Sequence, residues 1–311
     1  MRIFVFGATG FLGRSLTLRL LELGHDVSLL TRNHSRALSL FGGHVDIVEG
    51  DMVTFNESLS AFDAVINCSG EVRDKAQMYE LHVNALKRIL LSLESGGPHW
   101  VQVSSVGVYG PGCRGEVFEE HSFSPIGEYE VTKAMADKLV RDVCLERKTP
   151  FTILRPSNVF GEGMPNGSLK QLVEMIRLGV FFHVDDPEKS MMNYVYIEDV
   201  VEAIIYILRV SDARNDDFII SDVVDQASFV ALIKEELGGG WSPVVPKWIT
   251  SIVSRVGDYI PRFPLSRSRV AALSVRCVYS SEKIKRVLSF EYPVGCVEGL
   301  RRYCRSIANS N

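Results

Sequence analysis

The stretch VFGATGFLGRSL, residues 5–16, decides the fold of this chain. A short apolar run, RIFVFG (2–7), enters it, and a helical pattern, FLGRSLTLRLLEL (11–23), leaves it. Gly7, Gly10 and Gly13 therefore fall between a predicted strand and a predicted helix. Glycine at the first place permits a tight turn, at the second lets backbone approach a bound group, and at the third lets the helix pack closely on the strand. Free amides in the first turn of such a helix suit a pyrophosphate. A glycine triplet alone is weak. Strand, triplet, helix and a second strand within roughly 30 residues form the context that favours a dinucleotide-binding turn over a merely structural one. Thr9, Phe11 and Leu12 inside the turn join Gly7, Gly10 and Gly13 as expected cofactor-binding residues.

Outward from this turn, short apolar runs alternate with helical patterns: DVSLLT (26–31), HVDIVEG (44–50), FDAVINCSG (62–70), a long helix over 73–94, HWVQVSS (99–105) and FTILRP (151–156). Such alternation with short connections predicts right-handed βαβ crossovers and a parallel sheet buried on both faces. The expected fold is thus α/β, a doubly wound, Rossmann-like parallel sheet over residues 1–160. Residues 161–311 are expected to form mainly a smaller, mixed substrate-binding lobe, with some segments returning to the core. In that half lie a helical stretch in GEGMPNGSLKQLVEMIRLG (161–179), a strand NYVYI (193–197), a helix EDVVEAIIYILRV (198–210), a strand DFII (217–220), and an arginine-rich ending broken by Pro243, Pro246, Pro261 and Pro264. The lobe is expected to lie over the carboxyl edge of the sheet, where open α/β sheets bind ligands.

The end of the second strand selects the cofactor. An acidic side chain there would bind ribose hydroxyls and repel a 2′-phosphate; this strand ends LLTRN (29–33), with Arg32. An arginine matches a phosphate with two parallel hydrogen bonds, so NADP is favoured over NAD, with Arg36 or Arg14 assisting. The competing reading is a solvated surface arginine. Asp51 and Met52, in VEGDM (48–52), follow the third strand, and Asp51 is placed to accept from an adenine amino group, unless it is an ordinary loop aspartate.

The chemical end is read from SPIGEYEVTK (124–133). Tyr129 and Lys133 share a helix face, and an adjacent ammonium favours the phenolate of a tyrosine, making it a usable base. The spacing alone is common. VQVSSVGVYG (101–110) changes its meaning, because a buried strand delivers Ser104 and Ser105 to the same sheet edge, where a hydroxyl can donate to a substrate carbonyl as charge builds. For Ser104, a strand-end hydroxyl bonded to backbone is the equally weighted alternative.

With these residues the chain resembles the extended short-chain dehydrogenase/reductase family, the group of NAD(P)-dependent epimerases and dehydratases of nucleotide sugars. GATGFLG (7–13) matches its cofactor loop, VSSVGVYG (103–110) its serine strand, and Tyr129 with Lys133 its YxxxK pair. LRPSNVFGEG (154–163), NYVYIEDVVEAI (193–204) and YSSEKIKRVLSFEYPVGCVEGLRR (279–302) match its later segments, so the likeness spans nearly the whole chain. The resemblance implies Ser105, four residues before Tyr109, as the substrate-polarising hydroxyl. It implies Tyr129 as acid/base, and Lys133 as its electrostatic partner and ribose ligand. It further implies that Cys68, Ser69 and Gly70 flank the cofactor and that Pro156 to Val159 border the nicotinamide.

Departures from subfamily patterns narrow the reaction. Val106 and Gly107 stand where sugar-nucleotide dehydratases carry an acidic pair, and Val106 also stands where carbanion-type epimerase-reductases carry a cysteine. Asn158 favours a nucleotide-sugar ligand. Met192 lacks the arginine that often meets the diphosphate, a charge that Arg262, Arg267, Arg269 or Arg276 could supply. The leading expectation is an NAD(P)-dependent epimerase or ketoreductase of a nucleotide sugar. The alternatives are an NADP-dependent reductase of a non-nucleotide carbonyl compound, for which VFFHV (180–184) would line the pocket unless it serves core packing, and a non-enzymatic dinucleotide sensor.

The totals set the remaining bounds. A formal charge of −4 from 34 basic and 38 acidic residues gives no basic face for nucleic acid. Six scattered cysteines without a CxxC pair read as reduced thiols. The seven histidines lack metal-ligand spacing. No apolar run approaches the roughly 18 residues a spanning helix needs, so a cytoplasmic protein without membrane partner or signal peptide is expected. Apolar faces over 76–93 and 126–148 are either sheet-covering or a four-helix homodimer interface.

Overall fold

The structure, a computed structural model, describes residues 1–165, 167–246, 248–250 and 273–309. Its main sheet has seven strands: β1 (Arg2–Phe6), β2 (Asp26–Thr31), β3 (Asp46–Glu49), β4 (Ala64–Asn67), β5 (His99–Val103), β7 (Phe151–Pro156) and β11 (Asp216–Ile220). All pair in parallel, in the order β11-β7-β5-β4-β1-β2-β3. From β1 the chain winds outward through β2 and β3, then returns past β1 to β4 and winds the other way. The reversal at β1/β4 opens a crevice beyond the strand carboxyl ends.

Strand β1 shows why both faces must be covered. Ile3 and Val5 enter one buried cluster with Leu16 and Leu20 of α1 (Phe11–Glu22) and Val200, Val201 and Ile204 of α7 (Ile197–Arg209). Phe4 and Phe6 point the other way, into a cluster with Leu86, Ile89 and Leu90 of α4 (Leu86–Ser92) and Val140 and Val143 of α5 (Glu128–Glu146). The period of two along a strand thus becomes two apolar layers. Around the nucleotide half, α2 (His34–Phe41) starts where Asn33 accepts from the Arg36 amide at 2.9 Å. The helix expected over 73–94 is interrupted: α3 (Lys75–Tyr79) passes into a π-helical turn, Glu80–Ala85, before α4 begins.

The lobe is assembled from short pieces. β10 (Met191–Tyr196) pairs in parallel with β8 (Asn158–Phe160) and antiparallel with β12 (Asp222–Asp225), while β14 (Cys277–Tyr279) pairs with β6 (Gly115–Val117) and β13 (Val244–Val245) with β9 (His183–Val184). A separate core joins Phe160 to Val173 of α6 (Gly167–Arg177), Phe229 of α8 (Gln226–Leu237) and Leu300 of α10 (Gly295–Asn309). Helix α9 (Glu282–Leu288) instead sends Ile284 and Leu288 into the first cluster of the main sheet. The start of α10 is tied down by carboxylates: Asp199 accepts from Val294 and Gly295 amides at 2.9 and 3.0 Å, and Asp222 from Cys296 at 2.5 Å. Pro261, Pro264, Arg262, Arg267 and Arg269 lie outside the described residues.

Candidate active site

The turn after β1 makes the close approach that its glycines predict. Gly7 has φ +75°, and a Cβ there would lie 2.7 Å from the Ser69 nitrogen; a Cβ on Gly13 would run into the Gly7 carbonyl oxygen. Helix α1 starts at Gly10 with no side chain capping its amides. Phe11 and Leu12 turn their side chains toward the lobe core. A cleft of about 410 Å³ begins here and crosses the β1/β4 switch point. Gly7, Thr9, Gly10, Arg32, Asp51, Met52, Cys68, Ser69 and Gly70 all line it. Its size, its glycine floor and the uncapped helix start fit an extended dinucleotide.

At one end, the Arg32 guanidinium stands 3.6 Å from the Asp51 carboxylate, and both are solvent-accessible. Arg36 lines the same end and donates to the Thr9 carbonyl at 3.4 Å. Two cations therefore border the place where the second strand ends. Asp51 also accepts from the Val53 amide at 2.8 Å.

At the other end, β4 delivers Cys68, Ser69 and Gly70. Asn67 shapes this turn, accepting from the Ser69 hydroxyl at 2.5 Å and its amide at 3.1 Å. Burial pushes the Cys68 thiol up to about 12, which favours the thiol over the nucleophilic thiolate. From α5, the buried Lys133 donates to the Ser69 carbonyl at 3.3 Å and the Val103 carbonyl at 3.0 Å, with its Nζ 5.9 Å from the centre of the Tyr129 ring. The pair thus meets the cofactor cleft through Ser69. Its electrostatics differ from the expectation: burial pushes the Tyr129 phenol up to about 12, and burial lowers Lys133 to about 8. Burial is the largest cause of both shifts.

The two serines separate. Ser105 caps a 3₁₀ turn over Val106–Tyr109, accepting from the Gly107 amide at 3.1 Å, which leaves its O–H free to donate. Ser104 is buried with its hydroxyl toward the Asp137 carboxyl, short of a regular hydrogen bond. That placement shows no bond from the hydroxyl to backbone, the alternative the sequence offered. Pro156 ends β7 opposite Ile220, Val159 packs between the sheet and lobe cores, and Asn158, exposed, spends its amide on the Asn193 carbonyl at 3.0 Å. Met192 is buried in the lobe core. Phe181 and His183 are buried too, the imidazole bonded to Gln226 at 2.9 Å, so those two side chains of the 180–184 run serve packing. Arg276 reaches Asp185 at 2.6 Å.

Several neighbours were not singled out by the sequence. Glu71, Gln77, Glu80 and Leu81 complete the cleft wall from the 70–85 region, and only the helical spacing of 73–94 hinted at them. Behind α5, Arg155 is fully buried, donating to Asp137 at 2.8 Å, to the Tyr109 hydroxyl at 3.1 Å and, very closely, to Asp217. Among the described residues, no group of three or more His, Cys, Asp or Glu side chains is placed to hold a metal ion, and no helix is long and apolar enough to cross a membrane.

Residues 3–221 match the model of the NAD dependent epimerase/dehydratase family. The chain is 24% identical to the low-salt glycan biosynthesis protein Agl12 of Haloferax volcanii, over 68% of this chain and 74% of that protein. It is 23% identical to a UDP-glucose 4-epimerase of Vibrio cholerae over 99% of this chain and 96% of that one. Among solved structures, UDP-glucuronic acid 4-epimerase from Bacillus cereus in complex with NAD superimposes with a TM-score of 0.77 at 17% identity, covering 99% of this chain and 97% of that chain.

Proposed function

The chain belongs to the NAD dependent epimerase/dehydratase family, as an NAD(P)-dependent enzyme of the extended short-chain dehydrogenase/reductase type, and from that premise we propose that it is an epimerase or ketoreductase acting on a nucleotide sugar by hydride transfer, with Tyr129 as the acid/base. The observation that carries this reading is the direct link between cleft and chemistry: Lys133 donates to the carbonyl of Ser69, which itself lines the cleft, and Lys133 stands beside the Tyr129 ring.

A bound dinucleotide supplies the hydride acceptor and, when oxidised, a positive ring charge. Tyr129 takes the proton of the sugar hydroxyl at its Oη as that carbon is oxidised and returns it on reduction. A phenol pushed up to about 12 by burial holds its proton firmly, so it acts as the acid until positive charge is brought to the cleft. Lys133, with two N–H groups on carbonyls, keeps a third for a ribose hydroxyl. Ser105 donates to the substrate oxygen as negative charge develops. The relatives' printed names support the substrate class: one is a UDP-glucose 4-epimerase and another structural neighbour a UDP-glucuronic acid 4-epimerase.

We infer NADP as the preferred cofactor, from Arg32 and Arg36 at one end of the cleft. That preference also supports a second reading, an NADP-dependent reductase of a non-nucleotide carbonyl compound, for which the buried Met192 in place of a diphosphate-binding arginine speaks. Thermal-shift titration with NAD, NADP, and each together with UDP-sugars separates the two, because only a ligand of the folded state raises the melting point. Stabilisation by UDP-glucose or UDP-glucuronate, with interconversion lost in Tyr129→Phe, is the expected result. Stabilisation by NADP alone, whatever sugar nucleotide is added, overturns the nucleotide-sugar reading.

A further inference from the structure

His82 lies outside every role assigned above, yet the structure builds it into the site. It sits on the π-helical turn Glu80–Ala85, and such one-turn widenings of a helix recur at functional positions. The imidazole is buried and accepts at Nε2 from the Glu71 backbone amide, 3.0 Å away. A backbone N–H can only donate, so Nε2 is unprotonated and the ring proton resides on Nδ1. Nδ1 then donates to the Thr132 hydroxyl at 2.8 Å, and that hydroxyl donates to the Tyr129 carbonyl at 3.0 Å. Every proton in this chain has one possible place.

The ring also meets the Tyr129 ring nearly perpendicularly, at 79° with centres 5.8 Å apart. Its other neighbours belong to the cleft. A Cβ on Gly70 would lie 3.9 Å from both His82 Nε2 and Lys133 Nζ, so Gly70 sits between imidazole and ammonium. Burial, then the Lys133 charge, hold the imidazole down at about 3 against the weaker opposing pull of Glu71. His82 is therefore neutral at any working pH and acts as a fixed strut, not a switch.

We propose that His82 is a positioning residue of the site, tying the Gly70–Glu71 wall of the dinucleotide cleft to the first turn of α5 and fixing the attitude of the Tyr129 ring. The proposal rests on the reading of Tyr129 as the acid/base. Its physical basis is geometric. A reacting group displaced by about 1 Å can lose 10²-fold in rate, and the tyrosine here is oriented through its own carbonyl and its ring face at once.

The test uses the full-length protein with NAD as the probe. Tyrosine labelled with ¹³C at Cζ reports the Tyr129 environment, its resonance identified through Tyr129→Phe. His82→Leu is expected to move or broaden that resonance in the NAD-bound protein, and to lower the rate constant for UDP-sugar interconversion about 10- to 100-fold, with sugar KM within about three-fold. Two further variants divide the strut and guard against simple misfolding. His82→Asn retains a donor toward Thr132 and should keep more of kcat. His82→Gln retains an acceptor toward Glu71 and should keep more of the NAD affinity. An unchanged Tyr129 resonance in folded His82→Leu overturns the proposal, as does a variant whose kcat equals the parent's. Should no UDP-sugar turn over in the parent, the substrate reading fails, and the resonance measurement with NAD alone still decides the role of His82.

Discussion

The Asp137→Asn substitution removes one charge from the buried network behind α5 while keeping the side-chain volume. The Arg155 side chain, 2% exposed, would then face an amide at Nε and keep only Asp217 as a carboxylate partner. Removing one partner of a buried ion pair costs about 3–5 kcal/mol, because the remaining charge is neither hydrated nor neutralised. Asp217 stays in place, itself held by Arg141 at 2.9 Å, so the loss should fall near the lower end, about 3 kcal/mol. Urea unfolding followed by circular dichroism reads this as a lower midpoint at unchanged slope.

A second consequence appears at Lys133, one turn earlier on the same helix face. Burial lowers Lys133 to about 8 and the Asp137 charge opposes that fall, so without Asp137 the ammonium form becomes scarcer at neutral pH. The basic limb of the pH–rate profile should therefore move to lower pH in Asp137→Asn. A variant within about 1 kcal/mol of the parent would show that Arg155 is not confined as the structure has it. A basic limb that stays where it was would show that Lys133 does not set it.

Arg32→Asp should weaken NADP by about 10- to 100-fold, the worth of a hydrogen bond to a charged group, while leaving NAD binding intact; Asp51→Asn, which frees Arg32 from its neighbour, should tighten NADP. Fluorescence titration with both dinucleotides measures the ratio, and an unchanged ratio in Arg32→Asp refutes the assignment. The Asp199 carboxyl is raised to about 6 by burial, despite two backbone donors. A raised carboxyl favours the fold below its unfolded value, near 3.8, and that contribution is lost as pH rises through about 6. Asp199→Asn should thus gain on the parent by up to about 3 kcal/mol between those limits in urea unfolding, and a difference of opposite slope refutes it. Met135 and Leu145 on α5 and Leu91 on α4 are exposed. If these faces join two copies, Met135→Glu should convert a homodimer to monomer in sedimentation velocity, and a parent that already sediments as a monomer removes the interface.

The fold was legible because its main signals are local. Gly10 and Gly13 answer to steric needs within one turn, Gly7 to a positive φ in that turn, and the apolar runs of β1, β4 and β5 to burial on both faces. What stayed hidden depends on partners distant in sequence. Arg155 stands in FTILRP, where a strand of the buried core would be expected to carry no charge, and only Asp137 and Asp217, 18 and 62 residues away, make its burial tolerable. His82 sits in a helical pattern indistinguishable from its neighbours, since the π-helical turn that aims it inward leaves no mark in apolar spacing. Ser104 and Ser105 could not be separated by residue type, because their difference is the direction in which each leaves the end of β5.

The Tyr129 and Lys133 pair shows what counting charges in a sequence leaves out. At an effective dielectric near 20, an ammonium about 6 Å from a phenolate favours it by roughly 3 kcal/mol, or about two pKa units. Burial acts on the same phenol with up to about 3–5 units in the opposite direction, and it acts on the ammonium as well, which is lowered to about 8 yet stays mostly charged at neutral pH. Two carbonyls, of Ser69 and Val103, already occupy Lys133. With burial as the leading cause, the phenol stands at about 12 and the ammonium at about 8. Spacing along a helix therefore names two neighbours and the sign of their mutual attraction, but not the burial that opposes it. On the proposed reading of Tyr129 as the acid/base, positive charge brought to the cleft from outside the chain should lower its phenol, so its titration should shift when the cleft is filled.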